Sequence, residues 1–203
     1  INKKLTETFG GEFSEVIIGG AALNPEAEEF FKKIGFRFTV GYGMTECAPL
    51  ISHSFWHEFK LHSVGKILPT MEAKILSNDP QNEVGEIIVR GENVMLGYYK
   101  NEEATRLAID EDGWLHTGDM GTMDYDGTIY IKGRNKNMLL GPSGQNIYPE
   151  EIENKLNNMP FVMESLVLQN AENKLVALVV PDYDAMDEAK LTTKDLEGVM
   201  EEN

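Results

Sequence analysis

The feature that most constrains the fold is a strand, helix, strand pattern in the first forty residues. Val16–Ile18 is a short apolar run that ends in two glycines, which is typical of a buried strand followed by a tight turn. Asn24 and Pro25 then predict the start of a helix, because Asn is a favoured N-cap and Pro is tolerated in the first turn. Gly35 closes that helix, and a second strand is expected over residues 36–40. This order predicts a parallel α/β unit.

The pattern changes after residue 63. Short strands alternate with turns, including a hairpin signal at Asp126-Gly127, and one helix is expected from Glu102 to Ile109. Further on, a helix that begins at Pro149 and two apolar runs at 161–168 and 175–180 predict a small α+β domain. The expected fold class is therefore α/β with α+β. It comprises the remnant of a large α/β domain (1–63), a β-rich, barrel-like antiparallel subdomain (64–133) and a C-terminal α+β domain (134–203).

Composition narrows the classes of function. The 203 residues contain 18 Lys plus Arg against 34 Asp plus Glu, a formal net charge of −16. A protein that follows a nucleic-acid backbone needs a basic face, so nucleic acid is not an expected partner. No apolar run approaches the length of a transmembrane helix. The single cysteine, Cys47, cannot form an internal disulfide, which favours a reducing, cytoplasmic setting.

Several common catalytic signatures are missing from these 203 residues. There is neither a G-x-x-x-x-G-K-[ST] phosphate loop nor a G-x-S-x-G nucleophile elbow. His57-Glu58 begins like a zinc-binding H-E-x-x-H motif, but Leu61 stands at the position of the second histidine. His62 follows one residue too late to share the helix face, so we expect no zinc site here.

The most informative segment is the loop after the second predicted strand, which reads Gly41-Tyr42-Gly43-Met44-Thr45-Glu46. Loops at the carboxyl ends of parallel strands commonly bind ligands. Two glycines beside an aromatic ring, followed by a hydroxyl and a carboxylate, are suited to a planar ring, a phosphate and a divalent cation. The alternative is a tight turn in which the threonine caps a helix and the glutamate is solvated.

This loop resembles the Y-G-x-T-E motif of the adenylate-forming superfamily, which includes acyl-CoA synthetases, luciferases and the adenylation domains of peptide synthetases. Four other segments resemble motifs of the same superfamily in the same order. They are Gly20-Ala21-Ala22, an adenine-contacting segment; Gly85–Gly91, a barrel-strand motif; residues 114–119, a W-x-x-T-G-D motif; and residues 131–136, a G-R-x-[KD] hinge motif. The resemblance spans about residues 20 to 153, which is most of the chain.

The resemblance implies roles for individual residues. Residues 20–22 and 41–45 would contact the nucleotide, with Tyr42 stacked on adenine and Thr45 bonded to the α-phosphate. Glu46 would hold magnesium, and Thr45 and Glu46 would be the catalytic pair. Asp119 would accept hydrogen bonds from the ribose hydroxyls and Arg134 would donate to the same sugar or to phosphate, as their side-chain chemistry allows.

The C-terminal part would act as a mobile lid. Lys136 occupies the family's hinge position, where a charged side chain can stay solvated in two arrangements. Gly144 lies in the loop that approaches coenzyme A in relatives, where the absence of a side chain leaves room for a pantetheine arm. Asn146 stands where some relatives have a phosphate-contacting arginine, and the preceding loop is one residue longer, so this sequence departs from the pattern there.

The implied reaction is ATP-dependent activation of a carboxylate through an acyl-adenylate, followed by thioester formation with coenzyme A. Residues 141–153 are most similar to bacterial long-chain fatty-acid ligases, which makes a fatty acid the expected substrate. The family's triphosphate loop and its late P-x-x-x-x-G-K lysine are absent from the 203 residues. We therefore expect a C-terminal fragment of such a ligase that is inactive alone. No transmembrane segment is expected in these residues, and peripheral membrane contact of the full-length enzyme stays open.

Two alternatives remain open at the level of sequence. The first is a ligase of the same superfamily that loads an acyl group onto a carrier protein instead of coenzyme A. The second is a non-catalytic nucleotide-binding module that keeps the loop at residues 41–46. Acyl chain length and oligomeric state are not readable from these residues.

Overall fold

The computed structural model describes residues 1–141 and 143–192. The chain forms two compact units, Ile1–Lys132 and a second that begins at Gly133. No helix in the described ranges is long and apolar enough to cross a membrane. The α-helices are α1 (Asn2–Thr8), α2 (Pro25–Lys33), α3 (Glu102–Ala108), α4 (Pro149–Leu156) and α5 (Tyr183–Ala189). The strands are β1 (Val16–Ile18), β2 (Phe38–Val40), β3 (Tyr42–Gly43), β4 (Leu50–His53), β5 (Lys66–Ile67), β6 (Met71–Leu76), β7 (Gly85–Gly91), β8 (Leu115–Met123), β9 (Ile129–Arg134), β10 (Leu139–Leu140), β11 (Asn146–Ile147), β12 (Val162–Gln169) and β13 (Leu175–Pro181).

The first unit begins with the expected parallel pair. β1 and β2 run parallel, with Val16 opposite Phe38, and α2 connects them. The Asn24 side chain caps α2 by accepting hydrogen bonds from the N–H groups of Glu26 and Ala27. The expected start of β2 at residue 36 is wrong, because the Phe36 N–H donates to the carbonyl of Phe31 and so belongs to the end of the helix.

Two antiparallel sheets complete the first unit. β3, β4 and β5 form a three-stranded sheet that the sequence did not predict, and β6 to β9 form a four-stranded sheet in sequence order. Their apolar side chains share one core cluster, in which Ile51, Ile87 and Ile129 are fully buried. Tyr42 and Cys47 belong to the same cluster, so the loop between β3 and β4 is anchored in the core.

The second unit is built from α4 and an antiparallel hairpin of β12 and β13. α4 and its C-cap residue contact β12: Glu153 accepts a hydrogen bond from the Val167 N–H, and Asn157 accepts one from the Ser165 hydroxyl. The first strand of the hairpin begins at Val162, one residue later than expected, because Phe161 takes a left-handed conformation. Helix α5 had no counterpart in the sequence prediction, and residues 193–203 lie outside the described ranges.

Candidate functional site

Two loops meet at the carboxyl ends of the parallel pair. The Gly41 N–H donates to the Ile18 carbonyl at 2.9 Å, which continues the β1–β2 pairing beyond the last strand residue. A Cβ placed on Gly19 would lie 3.3 Å from the Gly41 carbonyl oxygen. The exposed segment Gly20-Ala21-Ala22 therefore begins directly after Gly19, where the chain lies against Gly41 at the start of the second loop. The structure brings together the two loops that the sequence analysis singled out.

The second loop has a defined backbone. After β3, Met44 leads into a single 3₁₀ turn over Thr45–Cys47, and the Met44 N–H donates to the Pro49 carbonyl at 2.8 Å. Within this turn Thr45 is exposed, Glu46 is half-buried and Cys47 is fully buried. The turn therefore presents a hydroxyl and a carboxylate outward while the thiol packs inward.

Tyr42 and Asp119 are joined by a short hydrogen bond. The Tyr42 hydroxyl donates to Asp119 Oδ2 at 2.6 Å, and the two residues are only 7% and 6% exposed. Burial, and then the negative charge of Asp119, raise the pKa of Tyr42, so its hydroxyl stays protonated as a donor. Tyr42 thus orients the carboxylate from within the core cluster. Stacking of its ring on adenine stays a prediction.

A β-bulge presents Asp119. Three residues of β8, Thr117, Gly118 and Asp119, stand opposite the single residue Ile87 of β7. The Thr117 hydroxyl donates to the Ile87 carbonyl at 2.7 Å and accepts from the Asp119 N–H at 3.0 Å. Gly118 has a φ of +73°, which favours glycine, and its N–H donates to Glu86 Oε1. The three residues therefore have different structural roles. Thr117 bonds β8 to β7, Gly118 takes the left-handed conformation, and Asp119 directs its carboxylate to the Tyr42 hydroxyl.

Three residues that the sequence analysis missed hold the turn from outside. The Met95 N–H donates to the Glu46 carbonyl at 2.7 Å, and the Asn93 side-chain amide donates to the Cys47 carbonyl at 2.7 Å. The Tyr98 hydroxyl donates to Glu46 Oε1 at 2.9 Å. No local sequence pattern indicates the contact between Tyr98 and Glu46, because the two residues are 52 positions apart.

The single carboxylate of Glu46 fits a magnesium site in which phosphate and water would supply the other ligands. The described residues contain no cluster of three or more His, Cys, Asp or Glu side chains. Magnesium is usually bound through one or two carboxylates together with substrate phosphates and water, so a single carboxylate is sufficient. Within the described part of the chain, the Glu46 carboxylate has one hydrogen-bond donor, the Tyr98 hydroxyl on Oε1.

The remaining site residues belong to the second unit. Arg134 is the last residue of β9 and is exposed, and Lys136 is exposed in a 3₁₀ turn over Asn135–Asn137. Gly144 lies in an exposed turn closed by its N–H on the Gly141 carbonyl at 2.9 Å. Pro142, in the same loop, lies outside the described ranges. Their roles toward nucleotide and coenzyme A stay predictions.

Cys47 provides a probe of the turn. Its thiol is fully buried, and burial raises its pKa from 9.0 to about 11. At pH 8 this shift alone lowers the thiolate fraction by about 100-fold, and the thiolate is the reactive form. We expect the native chain to react with a disulfide reagent at least about 100-fold more slowly than the urea-unfolded chain. Absorbance of the released thiol measures both rates, and equal rates would contradict a buried Cys47.

The chain is similar in sequence to known proteins. Residues 2–99 match the family model described as AMP-binding enzyme. The chain is 32% identical over 187 residues to the long-chain-fatty-acid–CoA ligase FadD15 of Mycobacterium bovis, covering 92% of the chain and 30% of that protein. It is 38% identical over 193 residues to the peroxisomal long chain acyl-CoA synthetase 6 of Arabidopsis thaliana, covering 90% of the chain and 28% of that protein.

A solved structure shows a similar fold. The chain superposes on o-succinylbenzoate CoA synthetase of Bacillus subtilis, in complex with ATP and a magnesium ion, with a TM-score of 0.74 and 29% identity. The match covers 94% of the chain and 44% of that protein. The chain thus spans less than half the length of these relatives. Because the family model, the relatives and the solved structure all point to one family, the chain belongs to the AMP-binding enzyme family.

Proposed function

We propose that the chain forms the nucleotide-binding and lid part of a long-chain fatty-acid CoA ligase. The observation that carries the proposal is the 2.6 Å hydrogen bond between Tyr42 and Asp119. It joins the loop that bears Thr45 and Glu46 to the bulge that bears Asp119, so one bound AMP can reach both. Similarity to long-chain ligases supports a fatty acid as the substrate.

Each residue has a role that its chemistry supports. The Asp119 carboxylate accepts hydrogen bonds from the ribose hydroxyls, and the exposed Thr45 hydroxyl donates to an α-phosphate oxygen. The glycines of the 41–46 loop and residues 20–22 form the backbone edge beside adenine. Glu46 holds a magnesium ion, which supplies neutralisation of charge on the phosphate oxygens when bound. Catalysis then depends on positioning of the reactants and on electrostatic stabilisation, and no covalent intermediate forms on the protein.

The proposed reaction has two displacements. In the first, a carboxylate oxygen of the fatty acid attacks the α-phosphorus of ATP, the bond to the bridging oxygen breaks, and pyrophosphate leaves. In the second, the sulfur of coenzyme A attacks the acyl carbon, AMP leaves with the bridging oxygen, and the thiol proton passes to solvent. The mixed anhydride formed between the two steps hydrolyses readily, so exclusion of water is part of the function.

The second unit supplies the proposed lid. Arg134 offers a rigid guanidinium fork to the ribose or to phosphate oxygens. Lys136 is the proposed hinge, and its exposure in a short turn leaves its charge solvated while the backbone torsions change. Gly144, in an exposed turn, leaves room for the pantetheine arm of coenzyme A.

We also propose a role in lipid metabolism in the cytoplasm, with peripheral membrane contact of the complete ligase. The single, buried Cys47 supports a reducing compartment. A long-chain fatty acid partitions into membranes, which supports contact with a membrane surface.

Three measurements test the proposed function. Calorimetric titration of the 203-residue chain with AMP is expected to show binding at one site. The complete protein that carries the chain is expected to catalyse ATP–pyrophosphate exchange that depends on a long-chain fatty acid, whereas the 203-residue chain alone shows none. Thioester formation assayed with coenzyme A and with acyl carrier protein identifies the acceptor. Absence of AMP binding, or exchange that does not depend on a fatty acid, would contradict the proposal.

A further inference from the structure

The Glu46 side chain is held by a residue outside its own loop. Tyr98 donates its hydroxyl to Glu46 Oε1 at 2.9 Å, and this bond raises the pKa of Tyr98, which keeps the donor protonated. A hydrogen bond to a charged oxygen is stronger than one between neutral groups, so it restrains the orientation of the carboxylate. Oε1 is thereby engaged, and Oε2 is the oxygen available to a cation.

Tyr98 is itself fixed by the start of α3. Its N–H donates to the Thr105 hydroxyl at 2.9 Å, and that hydroxyl donates to the Asn101 carbonyl at 2.9 Å. The Asn101 side chain in turn caps α3 by accepting from the Ala104 N–H at 3.0 Å. The backbone of Tyr98 is therefore anchored at a helix terminus, and its hydroxyl does not depend on a freely moving loop.

The same segment also holds the backbone of the turn. The Met95 N–H donates to the Glu46 carbonyl at 2.7 Å, and the Asn93 amide donates to the carbonyls of Cys47 at 2.7 Å and Leu50 at 2.9 Å. Residues 93–98 thus fix the Glu46 carbonyl through one contact and the Glu46 carboxylate through another. Two-point attachment of this kind defines where the carboxylate lies relative to the loop.

We infer that Tyr98 is a positioning residue, whose hydroxyl orients the Glu46 carboxylate toward the cation that accompanies ATP. The inference rests on the proposed function and adds a residue to it. Groups that orient a metal ligand through a hydrogen bond typically change metal affinity by about 10-fold or more when they are removed. Tyr98 acts through its hydrogen bond to Glu46, so we expect its effect in the metal-dependent part of binding.

The test measures ATP affinity of the 203-residue chain by calorimetry, once with magnesium and once with EDTA. The ratio of the two dissociation constants is the magnesium gain. Tyr98→Phe keeps the ring and removes the hydroxyl, and we expect it to lower the magnesium gain by about 10-fold without changing the affinity in EDTA. Tyr99→Phe is the matched control, because Tyr99 is 89% exposed and makes no hydrogen bond to Glu46, and it should behave as wild type.

Glu46→Gln separates the inference from the proposed function. If Glu46→Gln removes the magnesium gain and Tyr98→Phe does not reduce it, the role of Tyr98 is overturned while Glu46 remains the metal ligand. An equal loss of affinity for Tyr98→Phe in magnesium and in EDTA would also overturn it, because that result indicates general structural support. If wild type has no magnesium gain, the proposed metal role of Glu46 fails, and the inference fails with it.

Discussion

Replacement of Asp119 by Asn should lower the affinity of the chain for AMP by about 100-fold. Asn keeps the size of the side chain and can still accept the Tyr42 hydroxyl through its amide oxygen, so the fold should persist. The variant loses the negative charge that two ribose hydroxyls would contact. Each hydrogen bond to a charged group contributes about 1.5–3 kcal/mol, and about 3 kcal/mol corresponds to the expected factor. Calorimetric titration with AMP measures the change.

Two controls isolate the ribose contact. Asp187→Asn makes the same change in charge at an exposed position of α5 and should leave AMP affinity unchanged. With 2′,3′-dideoxy-AMP, which has no ribose hydroxyls, wild type and Asp119→Asn should bind with similar affinity. A loss for Asp119→Asn that is equally large with the dideoxy nucleotide would show that the carboxylate acts on the fold and not on the sugar.

Replacement of Gly43 by Ala should destabilise the first unit by about 3 kcal/mol, the upper end of the usual cost of overpacking. A Cβ at this position would lie 2.1 Å from the Pro49 carbonyl oxygen and 3.0 Å from the Leu50 Cα, both backbone atoms of the paired segment. The added methyl group can be accommodated only if β3 separates from β4. Urea denaturation, followed by circular dichroism, measures the free energy of unfolding.

Gly41→Ala is the matched control for Gly43→Ala. The Cβ at Gly41 would meet Leu50 Cδ1 and the Ser52 carbonyl oxygen at 3.4 Å, an ordinary contact distance, so the cost should stay below about 1 kcal/mol. The Cys47 thiol reports the same difference, since separation of β3 from β4 exposes the turn and speeds its reaction. Equal stability of the two variants would contradict the close approach of the Gly43 backbone to Pro49.

The sequence predicted those parts of the site whose signals are local. The strand, helix, strand pattern of residues 16–40 placed the loops at one edge, because N-cap chemistry and apolar periodicity operate over a few residues. The resemblance of two short motifs to one family singled out the Tyr42 loop and Asp119, and the structure joins them across 77 residues. Tyr42 was expected as a stacking ring, and burial of that ring in the core could not be inferred from its own neighbours.

The parts that the sequence did not predict depend on distant pairing. The sheet of β3, β4 and β5 consists of strands of two to four residues, too short to show a period of alternation. The contact between Tyr98 and Glu46 joins an exposed residue to a half-buried one, and neither belongs to a hydrophobic pattern. Arrangements of this type arise from tertiary structure alone.

The bulge in β8 makes residue spacing part of the candidate site. Side chains alternate between the two faces of a strand, so removal of Thr117 or Gly118 would turn Asp119 toward the opposite face relative to His116. A homologue or engineered variant could therefore retain the aspartate in an alignment and still lose its function through a deletion beside it. Under the role proposed for Asp119, conservation of length over this stretch is as informative a marker of nucleotide binding as conservation of the acid.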